Sequence, residues 1–123
     1  MSKLSAQDVL RRYAKDYSVE LTDVNQRETP AGDAPLHTAC IRGKIDEVQA
    51  LVEGGADVNM QGEEGYTPLH YAVDGGHGDI VRLLLHNGAS TSTRSTFGRT
   101  PRELAEANGF DHIVRLFDGL SSH

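Results

Sequence analysis

The stretch Thr67-Pro68-Leu69-His70-Tyr71-Ala72 returns in altered form as Ala34-Pro35-Leu36-His37-Thr38-Ala39 and as Thr100-Pro101-Arg102-Glu103-Leu104-Ala105. The copies begin at 34, 67 and 100, a spacing of 33 each time. Downstream the register holds: Gly43, Gly76 and Gly109 align, then Val48, Val81 and Val114, then Leu51, Leu84 and Phe117. Between copies, Gly55-Ala56-Asp57-Val58-Asn59 matches Gly88-Ala89-Ser90-Thr91-Ser92. A fixed period of this length is the mark of a stack of small units, each unable to bury its apolar side alone.

Elementary rules build one unit. Thr67 before Pro68 starts a helix, because the hydroxyl accepts from an orphan backbone N–H and proline at the first helical position loses no bond. Thr100-Pro101-Arg102-Glu103 adds a glutamate three residues on, completing a capping box. Ala34 supplies no such acceptor, so the first of these helices starts less firmly, by about 1 kcal/mol, unless Asp33 substitutes. Gly43, Gly76 and Gly109 end the short helices by turning left-handed. A second helix follows, introduced by Asp46 or Asp79; in the middle unit Ile80, Val81, Leu84 and Leu85 form its apolar stripe. Helices this short are marginal alone and gain their stability by burial against the next unit.

The ends differ from the middle. Ser5-Ala6-Gln7-Asp8 reads as a capping start, after which Leu10, Tyr13, Ala14 and Tyr17 fall on one helical face. Residues 5–17 are therefore expected to form an N-terminal capping helix, followed by units over 21–58, 59–91 and 92–123. Asp23-Val24-Asn25 repeats the Asp57-Val58-Asn59 turn, with one extra residue before the next helix. In the last unit Arg102 and Glu103 replace the leucine and histidine of the others, as an outer face meeting water requires.

Through TPLH at 67–70, the run from Gly75 to Ala89 and GGADVN at 54–59, the chain resembles an ankyrin repeat protein over roughly residues 21–118. The resemblance implies an all-α solenoid of helix pairs joined by short β-hairpin-like loops, and a role in binding other proteins. It also implies that His37 and His70 are structural, each imidazole bonding the turn of its own unit and of the next.

Composition narrows the function. The chain has 123 residues, room for one domain, and carries 12 basic against 18 acidic side chains, a formal net charge of −6. Such a field disfavours a phosphate-binding surface, so nucleic acid is not expected as a partner. A single cysteine, Cys40, closes no internal disulfide and fits a reducing compartment. The N-terminus has no apolar stretch of signal-peptide length and the longest aliphatic run, Leu83-Leu84-Leu85, is far short of a membrane span, so a cytoplasmic location and no membrane partner are expected.

Chemistry-bearing residues have bland readings. His77 falls at a repeat turn; His86, His112 and His123 are expected to face solvent. His37 and Cys40 have metal-ligand spacing without a second pair nearby, and Cys40 aligns with Val73, which favours a packed thiol. A small metal-dependent enzyme built on His70, His77 and Cys40 is the alternative from another class. No nucleophile elbow or phosphate loop occurs, and Gly75-Gly76-His77-Gly78 reads as a turn. Neither catalysis nor a cofactor or metal is expected.

The remaining positions are surface: the tips of the connecting fingers and the exposed side of each first helix, aligned by stacking into a concave strip. The strip includes Thr29 and Pro30 in the first finger, Glu63, Glu64 and Tyr66 in the second, and Thr96, Phe97 and Arg99 in the third. From the short helices come Ile41, Arg42, Asp74, Gly75, Ala107 and Asn108. The candidate protein-binding residues are Ile41, Arg42, Glu63, Glu64, Tyr66, Asp74, Phe97 and Arg99, since aromatic and arginine side chains dominate interface energetics. Residues 34–66 carry Arg42 and Lys44 against Asp46, Glu47, Glu53, Asp57, Glu63 and Glu64, a net −4; residues 67–99 carry Arg82, Arg94 and Arg99 against Asp74 and Asp79, a net +1. The expected partner is thus another protein with a basic patch, met by a monomer; a sharper variant is an inhibitor or immunity protein covering a basic toxin or nuclease.

Overall fold

A computed structural model of the chain describes residues 3–17, 20–27 and 32–121. The expected positions Thr29, Pro30 and His123, and the side chain of Tyr17, lie outside the described residues. Seven α-helices and no strand are present among the described residues: α1 (Ala6–Tyr17), α2 (Pro35–Arg42), α3 (Ile45–Glu53), α4 (Pro68–Asp74), α5 (Gly78–His86), α6 (Pro101–Ala107) and α7 (Asp111–Ser121). They form two layers. The short helices α2, α4 and α6 pack side by side in one, and α1, α3, α5 and α7 stack in the other. The N-terminal helix α1 therefore occupies the place of the second helix of a repeat.

The local reasons are those of the repeat. Thr67 Oγ1 accepts from the His70 N–H at 3.3 Å, and Thr100 Oγ1 from the Glu103 N–H at 3.2 Å. The Glu103 carboxylate in turn accepts from the Thr100 N–H at 3.2 Å, closing the capping box. Ala34 provides no side-chain cap. Asp33 carries its carboxylate toward the second finger, where it accepts from the Glu63 N–H at 2.9 Å. Gly43, Gly76 and Gly109 have φ of +69°, +72° and +73°, a region in which a side chain would be strained, and each turns its short helix into the long one behind it.

Burial supplies the cohesion. Val9, Leu10 and Tyr13 of α1, Val48 and Leu51 of α3, Ile80, Val81 and Leu84 of α5, and Ile113 and Phe117 of α7 join Leu36, Ala39, Leu69, Ala72 and Ala105 in one continuous core. Truncating one such leucine or isoleucine costs about 2–5 kcal/mol, more than any cap contributes. At the N-terminal end Ser5 and Asp8 cap α1 reciprocally, at 3.0 and 3.1 Å. The Ser5 N–H and the Arg11 guanidinium hold the Asp8 carboxyl down to about 2. Arg102, at the far end, lies between Glu106 and Asp118 at 3.0 and 2.5 Å. No helix among the described residues is long and apolar enough to cross a membrane.

The second and third fingers are simpler than hairpins. Gly62 N–H donates to the Tyr66 carbonyl at 2.8 Å and Ser95 N–H to the Arg99 carbonyl at 2.9 Å. The second and third fingers thus each carry one cross-finger backbone bond beside the bonds of their turns, with no ladder, and the second contains a short 3₁₀ turn, Glu63–Gly65. Adjacent fingers are held by the Thr96 N–H donating to the Glu64 carbonyl at 2.8 Å.

Candidate protein-binding groove

Two buried imidazoles set the positions of the fingers. His37 Nδ1 accepts from the Ala34 N–H at 2.9 Å while Nε2 donates to the Met60 carbonyl at 2.7 Å. His70 repeats the arrangement with the Thr67 N–H at 3.1 Å and the Arg99 carbonyl at 2.9 Å. Each ring ties its own helix start to the following finger. Burial holds both imidazoles below the usual histidine pKa, in the neutral form that this accept-and-donate pattern requires. In the last unit Glu103 takes the inward half of the role, and its carboxylate reaches Arg94 at 2.9 Å.

A second bracket runs along the base of the fingers. Asn25 Oδ1 accepts from the Asp57 N–H and Asn59 Oδ1 from the Ser90 N–H, both at 2.7 Å. Ser92 stands where a further asparagine would continue the series, and its N–H turns back to Ser90 Oγ at 3.3 Å.

Between the second and third fingers this scaffold opens a groove of about 180 Å³ lined by Glu63, Glu64, Tyr66, Tyr71 and Phe97. Tyr66 stacks on His70 with centroids 5.1 Å apart, and its ring meets that of Tyr71 at 5.2 Å with a 57° tilt. Phe97 is 68 % exposed, the most exposed large apolar side chain described. Glu64 adopts φ +57°, a conformation costly for a glutamate, which turns its carbonyl to the Thr96 N–H. Burial, with Asp74 and Glu64 nearby, raises the Tyr66 hydroxyl above the usual tyrosine pKa against the opposing charge of Arg99. Asp74 accepts from Asn108 Nδ2 at 3.3 Å.

The structure thus gathers four of the expected residues, Glu63, Glu64, Tyr66 and Phe97, and places Asp74 and Arg99 within electrostatic reach of Tyr66. Ile41 and Arg42 lie on α2, outside that lining. Ile41 is half exposed, whereas the Arg42 guanidinium pairs with Asp16 at 3.1 Å and sits 4.7 Å over the Tyr13 ring, binding α1 to α2. Tyr71 was not among the expected residues. Its signal is an aromatic ring where the sister units carry Thr38 and Leu104.

The alternative catalytic set is dispersed. Cys40 is fully buried, which pushes its thiol well above the usual range. His70 has both nitrogens engaged, and the His77 ring packs against Gly43 and Gly75. Among the described residues no cluster of three or more His, Cys, Asp or Glu is placed to hold a metal ion.

Comparison with known proteins agrees with the geometry. The family described as "Ankyrin repeats (3 copies)" matches residues 6–95. The chain is similar to "Putative palmitoyltransferase ZDHHC13" of Danio rerio, 32 % identical over 65 residues, which is 52 % of this chain and 10 % of that protein.

Proposed function

Because the chain belongs to the ankyrin repeat family, whose repeats are generally protein–protein interaction modules, we propose that it is a non-catalytic binding module that engages one protein partner through the concave finger face. Residues 5–17 act as the cap of an array of units over 21–58, 59–91 and 92–123. The observation that carries the reading is the groove of Glu63, Glu64, Tyr66, Tyr71 and Phe97, in which exposed aromatic surface stands beside carboxylates. Folding does not account for Phe97: an apolar ring 68 % exposed loses free energy in water and recovers it when covered.

The partner presents a basic surface to the acidic second finger, and the chain meets it as a monomer. Arg42 contributes by holding the capping helix, and Ile41 and Asp74 extend the contact along the short helices. Steering by Glu63, Glu64 and Asp74 raises the association rate more than the final affinity, so binding weakens as salt rises. An inhibitor of a basic toxin or nuclease would use the same face.

The experiment is affinity capture with the whole chain, identification of the protein retained, and comparison with Phe97→Ala. Retention falls at least tenfold while the helical circular dichroism is unchanged. Equal retention of the variant would remove the groove from the interface.

A further inference from the structure

We propose that the groove receives the guanidinium of an arginine on the partner's surface. The proposal rests on the protein-binding reading above and narrows it to one side chain. Tyr66, Tyr71 and Phe97 offer aromatic rings to the same space, and two of them meet at a 57° tilt, forming a corner with electron-rich walls. A cation is attracted to such faces, and the more strongly the less water intervenes.

Three further features favour a positive guest. The Glu63 and Glu64 carboxylates line the groove and have no hydrogen-bond or ion-pair partner among the described residues. The Tyr71 hydroxyl donates to the buried Asp33 carboxylate at 3.1 Å, which moves electron density into the Tyr71 ring and places a third negative charge behind it. Asp74 adds to the negative field at Tyr66; the opposing cation there, Arg99, is not part of the lining.

The shape of the groove selects among cations. It is shallow and open, so a guest meets the rings on one side and gives up the water on that side. A lysine ammonium is compact and strongly hydrated, and loses the most by leaving water. A guanidinium is planar and weakly hydrated, and it stacks on an aromatic face while its forked N–H groups point sideways to carboxylates. Glu63 and Glu64 line the same groove as the aromatic corner and supply the carboxylates such a fork would meet.

The test is a titration of the isotopically labelled full chain, followed by nuclear magnetic resonance, with the N-acetyl amides of arginine, lysine and citrulline at constant ionic strength. Citrulline has nearly the shape of arginine without its charge. Arginine produces saturable shifts confined to Tyr66, Tyr71, Phe97 and their neighbours. Its affinity exceeds that for lysine at least threefold and that for citrulline at least tenfold. The Glu63→Gln, Glu64→Gln double variant loses at least threefold in arginine affinity and none for citrulline. Equal binding of citrulline, or lysine binding as tightly as arginine, overturns the proposal while leaving the groove a docking site. Arginine shifts scattered over the acidic surface, or no shifts, also overturn it; the docking face itself is judged by the Phe97→Ala capture.

Discussion

The Tyr71 hydroxyl lies 3.1 and 3.2 Å from the two carboxylate oxygens of Asp33, a residue 38 positions earlier and 4 % exposed. One phenol thus joins the start of the first short helix to the second, behind the aromatic corner. Removing it in Tyr71→Phe leaves the carboxylate with a lost donor in a site that water enters poorly. The expected cost is about 1.5–3 kcal/mol, the range for hydrogen bonds to charged groups. Urea unfolding followed by circular dichroism measures it, and a change below about 0.5 kcal/mol would mean that solvent replaces the phenol.

The three helix starts differ by one atom set, and that difference is measurable. Thr67→Ala and Thr100→Ala each remove a hydroxyl that accepts a backbone N–H, and each lowers stability by about 1 kcal/mol. Ala34 holds the same extended backbone, φ −98° and ψ 170°, without an acceptor. Ala34→Ser adds one and raises stability by about 0.5–1 kcal/mol. A shift of the urea midpoint in the opposite direction would show that Oγ does not fit beside Leu36 and His37.

Stability falls as pH drops below about 6.5, before ordinary carboxylates titrate. Burial lowers the pKa of His37 and His70 in the folded chain, whereas both titrate near 6.5 when unfolded. Within that window the unfolded chain binds more protons than the folded one, so acid favours unfolding. Their contribution is complete above pH 6.5 and is lost progressively below it, toward the folded-state values. Urea midpoints at pH 7.5 and 5.5 test this: the wild-type midpoint falls, and the fall is smaller in His70→Gln. A midpoint that rises on acidification contradicts neutral imidazoles.

Asn59 spans two units, accepting from the Ser90 N–H at 2.7 Å and donating to the Gly88 carbonyl at 3.4 Å. These groups are exposed, so water replaces part of the bond, and Asn59→Ala costs about 1 kcal/mol. Asn59→Asp retains the acceptor and loses only the longer bond, giving an intermediate loss. Hydrogen exchange at the Ser90 amide separates the two variants: it accelerates in Asn59→Ala and stays slow in Asn59→Asp.

Much of this architecture is legible in the sequence because the devices that make it are short-range. The caps at Thr67 and Thr100, the left-handed turns at Gly43, Gly76 and Gly109, and the stripe of Ile80, Val81 and Leu84 each depend on residues within one or two helical turns. The histidine brackets were legible only through the family resemblance, since a lone His37 has no local signature of a bond to Met60. The resemblance implies hairpin-like fingers; the second and third close with one cross-finger backbone bond each beside their turn bonds, since so few residues lie between their ends that no ladder extends.

By itself, then, the sequence determined the period, the helices, their ends and the acidic second finger. Tertiary stacking decided what the side chains between units do. Glu47, expected only as part of a charged surface, is 6 % exposed and accepts from the Tyr13 hydroxyl at 2.6 Å and from Arg12 at 3.1 Å. Arg42 turned to α1, and Asp33 turned to Tyr71 and the second finger. These pairs lie 26–38 residues apart, and their partners are defined only once the layers have packed. Periodicity specifies which face is buried, but a polar side chain at the seam finds its partner by distance and desolvation, which exist only in the assembled stack.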